Sequence, residues 1–188
     1  MQLPIELKQA IDNNAFCALA TKLNEKDIQN HLMWVDYKDN KILINTEQGR
    51  KKTENIRQEP NISLVIFHPT DMYTCWEIRG VVENIVQDSS ANDHIDYLSN
   101  RYSGKPYGRT EDVTWEQAGF KSREIWEIDV SKLIPRSVEL RLNQNQSEIL
   151  KKDSLQTVSL GHQQDFSLLI LQHRKLNFLL LIQDVLFF

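Results

Sequence analysis

Cysteine is scarce in this sequence: only Cys17 and Cys75 occur in 188 residues, each inside an apolar, strand-like run. No metal-ligand spacing joins them, so no metal site is expected, and the two read as buried thiols of a reducing compartment. An excess of positive charge is also missing. Lys and Arg total 22 against 26 Asp and Glu, for a formal charge of −4 and a pI near 5.7. That balance leaves no basic field to track nucleic acid. No apolar run reaches the roughly 20 residues that cross a bilayer. Glu6 and Lys8 fall where a signal peptide needs an apolar stretch. The chain is expected to be cytoplasmic, with neither nucleic acid nor a membrane as partner. No nucleophile–base–acid constellation is legible either, so catalytic residues stay unassigned.

What is present is β-rich. Pro4 to Asn13 reads as a short amphipathic helix with Ile5, Leu7 and Ile11 on offer to one face. Phe16–Thr21, His31–Tyr37, Lys41–Asn45, Ile62–Phe67, Tyr73–Val86 and Glu124–Val130 read as strands. Tyr73–Val86 is long for one strand, and Gly80 near its middle predicts a bulge or bend. Ser89-Ser90-Ala91-Asn92 is placed to cap a helix through Leu98, and a Gly/Pro-rich loop follows from Ser103 to Gly108. Six strands with two or three helices predict a mainly β fold, a small barrel with helices at its ends. Residues 1–140 are assigned to that barrel. Residues 141–188 form a tail, rich in Gln, Asn and Ser and then apolar at Phe166–Leu171 and Leu176–Phe188, to which no role is assigned.

The stretch from Thr46 to Asn55 carries the strongest functional signal. A β-rich run ends at Thr46, and Arg50, Lys51 and Lys52 then open a helix through Arg57. A helix N-terminus offers unpaired N–H groups and partial positive charge, so three cations there oppose the macrodipole. A bound anion would offset the conflict, and phosphate is the natural candidate. A solvated cationic face is the alternative, and the lone Gly49 does not decide between them. In an acidic chain, a local cationic cluster points to a small anionic ligand rather than a polyanion.

The order of segments resembles the pyridoxamine 5′-phosphate oxidase-like superfamily of split β-barrel flavin and deazaflavin proteins. The resemblance rests on Ala18–Thr21, Trp34–Tyr37, Asn45–Arg57, Glu59–Leu64, Trp76–Glu83 and Ile95–Gly104, covering the chain from about Phe16 to Val138. Trp34-Val35-Asp36-Tyr37, Arg79-Gly80 and Arg101-Tyr102-Ser103-Gly104 are most similar to the branch grouped as coenzyme F420-dependent. Nothing after Val138 resembles the C-terminal cofactor-binding segment of true pyridoxamine phosphate oxidases. Leu32 stands where relatives often carry Pro, which puts the local strand path in question.

The resemblance implies a six-stranded split β-barrel like that of FMN-binding proteins, a homodimer, and coenzyme F420 (deazaflavin) or FMN between two barrels. It implies an oxidoreductase passing hydride to or from a small unsaturated or carbonyl substrate, the alternative being a non-catalytic flavin or deazaflavin carrier. Carried over by position, Arg50 and Lys51 bind the cofactor phosphate, flanked by Asn45 and Thr46. The strand His31, Leu32, Met33, Trp34 runs beside the ring; Trp34 and Trp76 either wall ring or substrate or serve as core or dimer contacts, and Arg79 meets an anionic substrate, the cofactor tail or a carboxylate on an adjacent strand. Lys52 is left between a contact to the phosphate and solvent, with solvent expected. A haem-binding relative would need His31, His68 or His94 as axial ligand, and none lies in a haem motif.

Overall fold

A computed structural model of the chain describes residues 1–137 and 145–148. The chain divides into two units, Met1–Arg141 and Leu142–Phe188. Of the second, one helical turn at 145–148 is described, and both apolar runs of the tail lie outside the described residues.

Unit one runs α1 (Ile5–Asp12), β1 (Phe16–Lys22), β2 (Ile28–Trp34), β3 (Asp36–Lys38), β4 (Lys41–Glu47), α2 (Lys51–Gln58), β5 (Asn61–Phe67), β6 (Cys75–Val86), α3 (Ser90–Ser103) and β7 (Arg123–Arg136). All pairings are antiparallel, in the order β2-β1-β5-β6-β7-β4-β3. β2 and β3 stand at opposite ends of that order yet are separated in sequence by Val35 alone. The two ends of the sheet therefore meet at a fully buried residue, and the sheet curls into a split barrel. The single strand expected at 31–37 is this pair of segments, which is why six expected strands become seven.

Alternation builds the interior. Cys17, Leu19 and Thr21 of β1 face in, as do Ile62, Leu64 and Ile66 of β5 and Trp76 and Ile78 of β6. Each large apolar side chain so enclosed contributes about 1.5–3 kcal/mol. Leu7, Ala10 and Ile11 of α1 and Ile56 of α2 join the same core. β6 changes register between Arg79 and Gly80, as the mid-strand glycine predicts. A Cβ at Gly80 would stand 2.5 Å from the Asp129 carbonyl oxygen and 2.7 Å from Ile128 Cγ2, so the bend needs a residue with no side chain.

α3 starts in the expected segment, with Ser89 at its N-cap position. Ser89 makes no capping bond; the Asp88 carboxylate accepts from the Ser90 backbone N–H at 2.9 Å and from the Ser90 hydroxyl at 2.5 Å. Between α3 and β7, residues 104–122 carry Tyr107, Trp115 and Phe120, which pack on one another with centroids 5.1–6.4 Å apart. Arg109 pins this long loop to α3 through Asp96. Among the described residues no helix is long and apolar enough to cross a membrane.

Candidate functional site

β4 ends at Glu47, Gly49 turns the chain at φ +76°, and Arg50 occupies the N-cap of α2 in extended geometry. No side chain caps this helix start; the Thr53 backbone N–H and hydroxyl donate to the Arg50 carbonyl at 2.8 and 2.7 Å. The three cations then separate by direction. Arg50 reaches Glu47 at 3.2 Å and remains largely exposed, and Lys51 meets Glu54 at 2.9 Å on the solvent side. Lys52 turns inward. It is 8% exposed, and its Nζ lies 3.1 Å from Met33 Sδ, a weak acceptor.

No carboxylate lies within ion-pair distance of Lys52 among the described residues. Burial, followed by the charges of Arg50 and Arg123, pushes its ammonium down to about 8. His31 is also lowered, by burial and then by Lys52 and Arg50, so it is neutral at pH 7. Burial drives the Cys17 thiol up to about 12 although Lys52 pulls the other way. The result is a rim holding three mutually repelling cations, Arg50, Lys52 and Arg123, around the carboxylate of Glu47.

Arg123, at the start of β7, is buried and its proton affinity is lowered, by burial above all. Its Nε donates to Asn45 Oδ1 at 2.8 Å, and its guanidinium lies 4.9 Å from the Tyr107 ring centroid. Asn45 Nδ2 donates to the Ala91 carbonyl at 2.7 Å and lies 3.3 Å from His94 Nδ1. His94 Nε2 is 3.1 Å from Asp36, which also accepts from Arg101 at 3.0 Å. Burial alone would raise the Asp36 carboxyl, but hydrogen bonds from His94 and Arg101 outweigh it and hold it below the ordinary value. Trp34 stacks on Tyr102 at 5.1 Å and 4°, with Tyr107 edge-on to it at 6.4 Å.

His31, Met33 and Arg50 thus gather around Lys52, Asn45 holds Arg123, and Trp34 joins the aromatic group that includes Tyr107. Thr46 is buried opposite Glu124 in the β4–β7 ladder. The other candidates lie elsewhere. Leu32 is 77% exposed beside Ala18, and Trp76 is in the core. Arg79 is exposed and pairs with Glu77 of its own strand at 2.9 Å. It lines a cavity of about 540 Å³ with Lys22, Ser63 and Ser131, to which no rim residue contributes.

The expectation that Lys52 is solvated is corrected. Helical phase could have revealed it, because Lys52, Asn55 and Ile56 follow the i, i+3, i+4 spacing of one face, and all three are buried. Arg123 carried no comparable signal, since its partners lie far away in sequence. Both nitrogens of His94 are occupied by Asn45 and Asp36, so that ring is a structural link rather than a free ligand.

Solved structures that share this architecture include the following three. An F420 reductase is 22% identical, with 70% of this chain and 98% of its own covered and a TM-score of 0.57. A conserved hypothetical protein of Mycobacterium tuberculosis is 19% identical, covering 73% and 86%, with a TM-score of 0.54. General stress protein 26 of Bacillus anthracis is 17% identical, covering 70% and 91%, with a TM-score of 0.51. At such identities the likeness is one of fold. No curated protein matches the chain. A sequence pattern spanning nearly all of unit one does match, over residues 3–136, and by it the chain belongs to the pyridoxamine 5′-phosphate oxidase family.

Proposed function

We propose that the chain is an oxidoreductase that anchors the phosphate of coenzyme F420 (deazaflavin) or FMN at the rim of Arg50 and Lys52. The observation that carries this is Lys52, a buried ammonium beside two guanidinium groups with no carboxylate of its own. A desolvated cation in such company is unfavourable until an anion arrives. Arg50 can supply parallel donors to a phosphate, and Lys52 a point charge beneath it. Lys51, turned to Glu54, lies at the edge of the site.

Main-chain groups of β2 from His31 to Trp34 run beside the place for a planar ring, and the Trp34–Tyr102 stack supplies an aromatic wall. When bound, the cofactor supplies hydride transfer to or from a small unsaturated or carbonyl substrate. The chain's own residues bind and orient. Neutral His31 can hold one hydrogen bond, and Cys17 remains a thiol. Phe16, Ile28 and Leu32 are exposed on the β1–β2 side of the barrel, which fits a second copy of the chain as partner in a homodimer.

Replacing Arg50 and Lys52 together by Ala should weaken coenzyme binding by about ten-fold or more, the scale of a lost charged hydrogen bond. Unchanged titration curves for both coenzymes would overturn the reading. The second reading is a non-catalytic flavin or deazaflavin carrier, in which the same rim holds the coenzyme without turnover. Stopped-flow mixing of reduced holoprotein with quinones and enones separates the two, because rapid saturable oxidation excludes a passive carrier. Absorption and mass spectra of protein purified from its native host distinguish the two coenzymes.

A further inference from the structure

Arg123 is 7% exposed, and among the described residues no carboxylate lies within ion-pair distance of it. A fixed cation buried this way is retained for a partner or held by neutral dipoles. Here the dipoles are visible, and they align. Arg123 Nε can only donate, so Asn45 must turn its Oδ1 to it, at 2.8 Å. The Asn45 amide nitrogen then faces the Ala91 carbonyl at 2.7 Å and His94 Nδ1 at 3.3 Å. His94 Nδ1 must accept, which places the ring proton on Nε2, facing Asp36 Oδ2 at 3.1 Å. Every donor in the series points toward Asp36, and Arg101 holds the other Asp36 oxygen at 3.0 Å. Bonds aligned in one direction polarise and stiffen one another.

We infer that Arg123 is a third phosphate-reading cation of the rim, and that Asn45 and His94 position it. This rests on the reading of the rim as a phosphate site. The tether uses Nε, and Tyr107 stands against the guanidinium, so the remaining N–H groups are directed rather than free to follow solvent. Arg123 is also among the charges that lower Lys52, which places the two cations within electrostatic reach of one ligand. His94 is a positioning residue; it acts on the anion only through Asn45 and Arg123.

The test uses the full chain and two matched probe pairs, FMN against riboflavin and coenzyme F420 against its phosphate-free riboside, titrated by fluorescence. Arg123→Met should lower affinity for the phosphate-bearing member by about ten-fold and leave the phosphate-free member within about two-fold. His94→Asn keeps an acceptor oxygen near the Nδ1 position and should retain nearly full phosphate preference. His94→Gln lacks that acceptor and should lose about three-fold or more. His94→Gln should add little to Arg123→Met, as expected for residues acting in series. The phosphate-free probe and the melting temperature separate these effects from misfolding.

Wild type preferring the phosphate-bearing probe while Arg123→Met prefers it equally would overturn the role of Arg123 and leave the site standing. Equal behaviour of the two His94 variants would overturn the positioning chain. Wild type indifferent to the phosphate, or binding none of the four probes, would remove the phosphate site and this inference together.

Discussion

Helix α2 touches two buried charges that are treated in opposite ways. Glu124 is fully buried, and its carboxylate accepts from Arg57 at 2.7 Å, Gln87 at 3.0 Å and the Trp126 indole at 2.7 Å. Lys52, less than two turns earlier on the same helix than Arg57, has a thioether and two like charges for company. A satisfied buried charge specifies packing and asks nothing of solvent or ligand. An unsatisfied one is unfavourable in the free protein, and its retention is most simply explained by a ligand that completes it. The difference lies in the partners and not in burial, since both side chains are enclosed.

Breaking the satisfied centre should have the larger effect. Glu124→Ala strands the Trp126 N–H and the Arg57 guanidinium and should destabilise the chain by about 3 kcal/mol, read by urea denaturation. A loss below about 1 kcal/mol would place Glu124 among ordinary surface charges. Lys52→Met should do the reverse. It removes a desolvated ammonium and should stabilise the free chain by about 1–3 kcal/mol, while coenzyme affinity falls by about ten-fold or more. A variant that is both less stable and equally good at binding would erase the contrast.

Proton linkage sharpens the comparison further. Lys52 stands at about 8 in the folded chain against an ordinary value of 10.5. Between those two values the unfolded chain binds more protons, so the Lys52 contribution to stability rises with pH over that window and is constant below it. Anion binding needs the ammonium, so affinity should fall as pH climbs through about 8, by up to about ten-fold per unit. The phosphodiester of the deazaflavin is the better probe, because it does not titrate there. A flat profile from pH 7 to 9.5 would count against Lys52 as a ligand. Smallest of all, Lys51→Ala breaks an exposed pair and should shift stability by less than about 0.5 kcal/mol and affinity by less than about three-fold.

Much of the fold was legible because strand alternation and turn residues are local. β1, β4, β5 and β6 fall where their apolar runs lie, and the Gly80 bend follows from a lone glycine inside a long strand. The break at Val35 was not legible, since it depends on which neighbours each half of the strand finds, β1 for one and β4 for the other. The N-cap of α3 lies in the expected Ser cluster, at Ser89, but the side chain that accepts there is that of Asp88, because a capping bond is decided by backbone geometry and either side chain suits the role. At the site, the cationic turn stood out by its conflict with the helix dipole. Which lysine faces inward depended on helical phase, and the Lys52/Asn55/Ile56 face was readable but competed with a cation's preference for water. Trp76 and Arg79 were assigned by position in a resembling strand, and the structure places one in the core and the other on the outer surface.

By itself, the amino-acid order determined most of the elements, the bend of β6 at its glycine and the gathering of cations where a strand hands over to a helix, because each depends on neighbours a few residues away. Only the tertiary structure decided which of those cations lost its water, and that Arg123 joins them from a strand 78 residues beyond Asn45. Burial and charge pairing are properties of the space around a side chain, and that space is assembled from segments that no local pattern brings together.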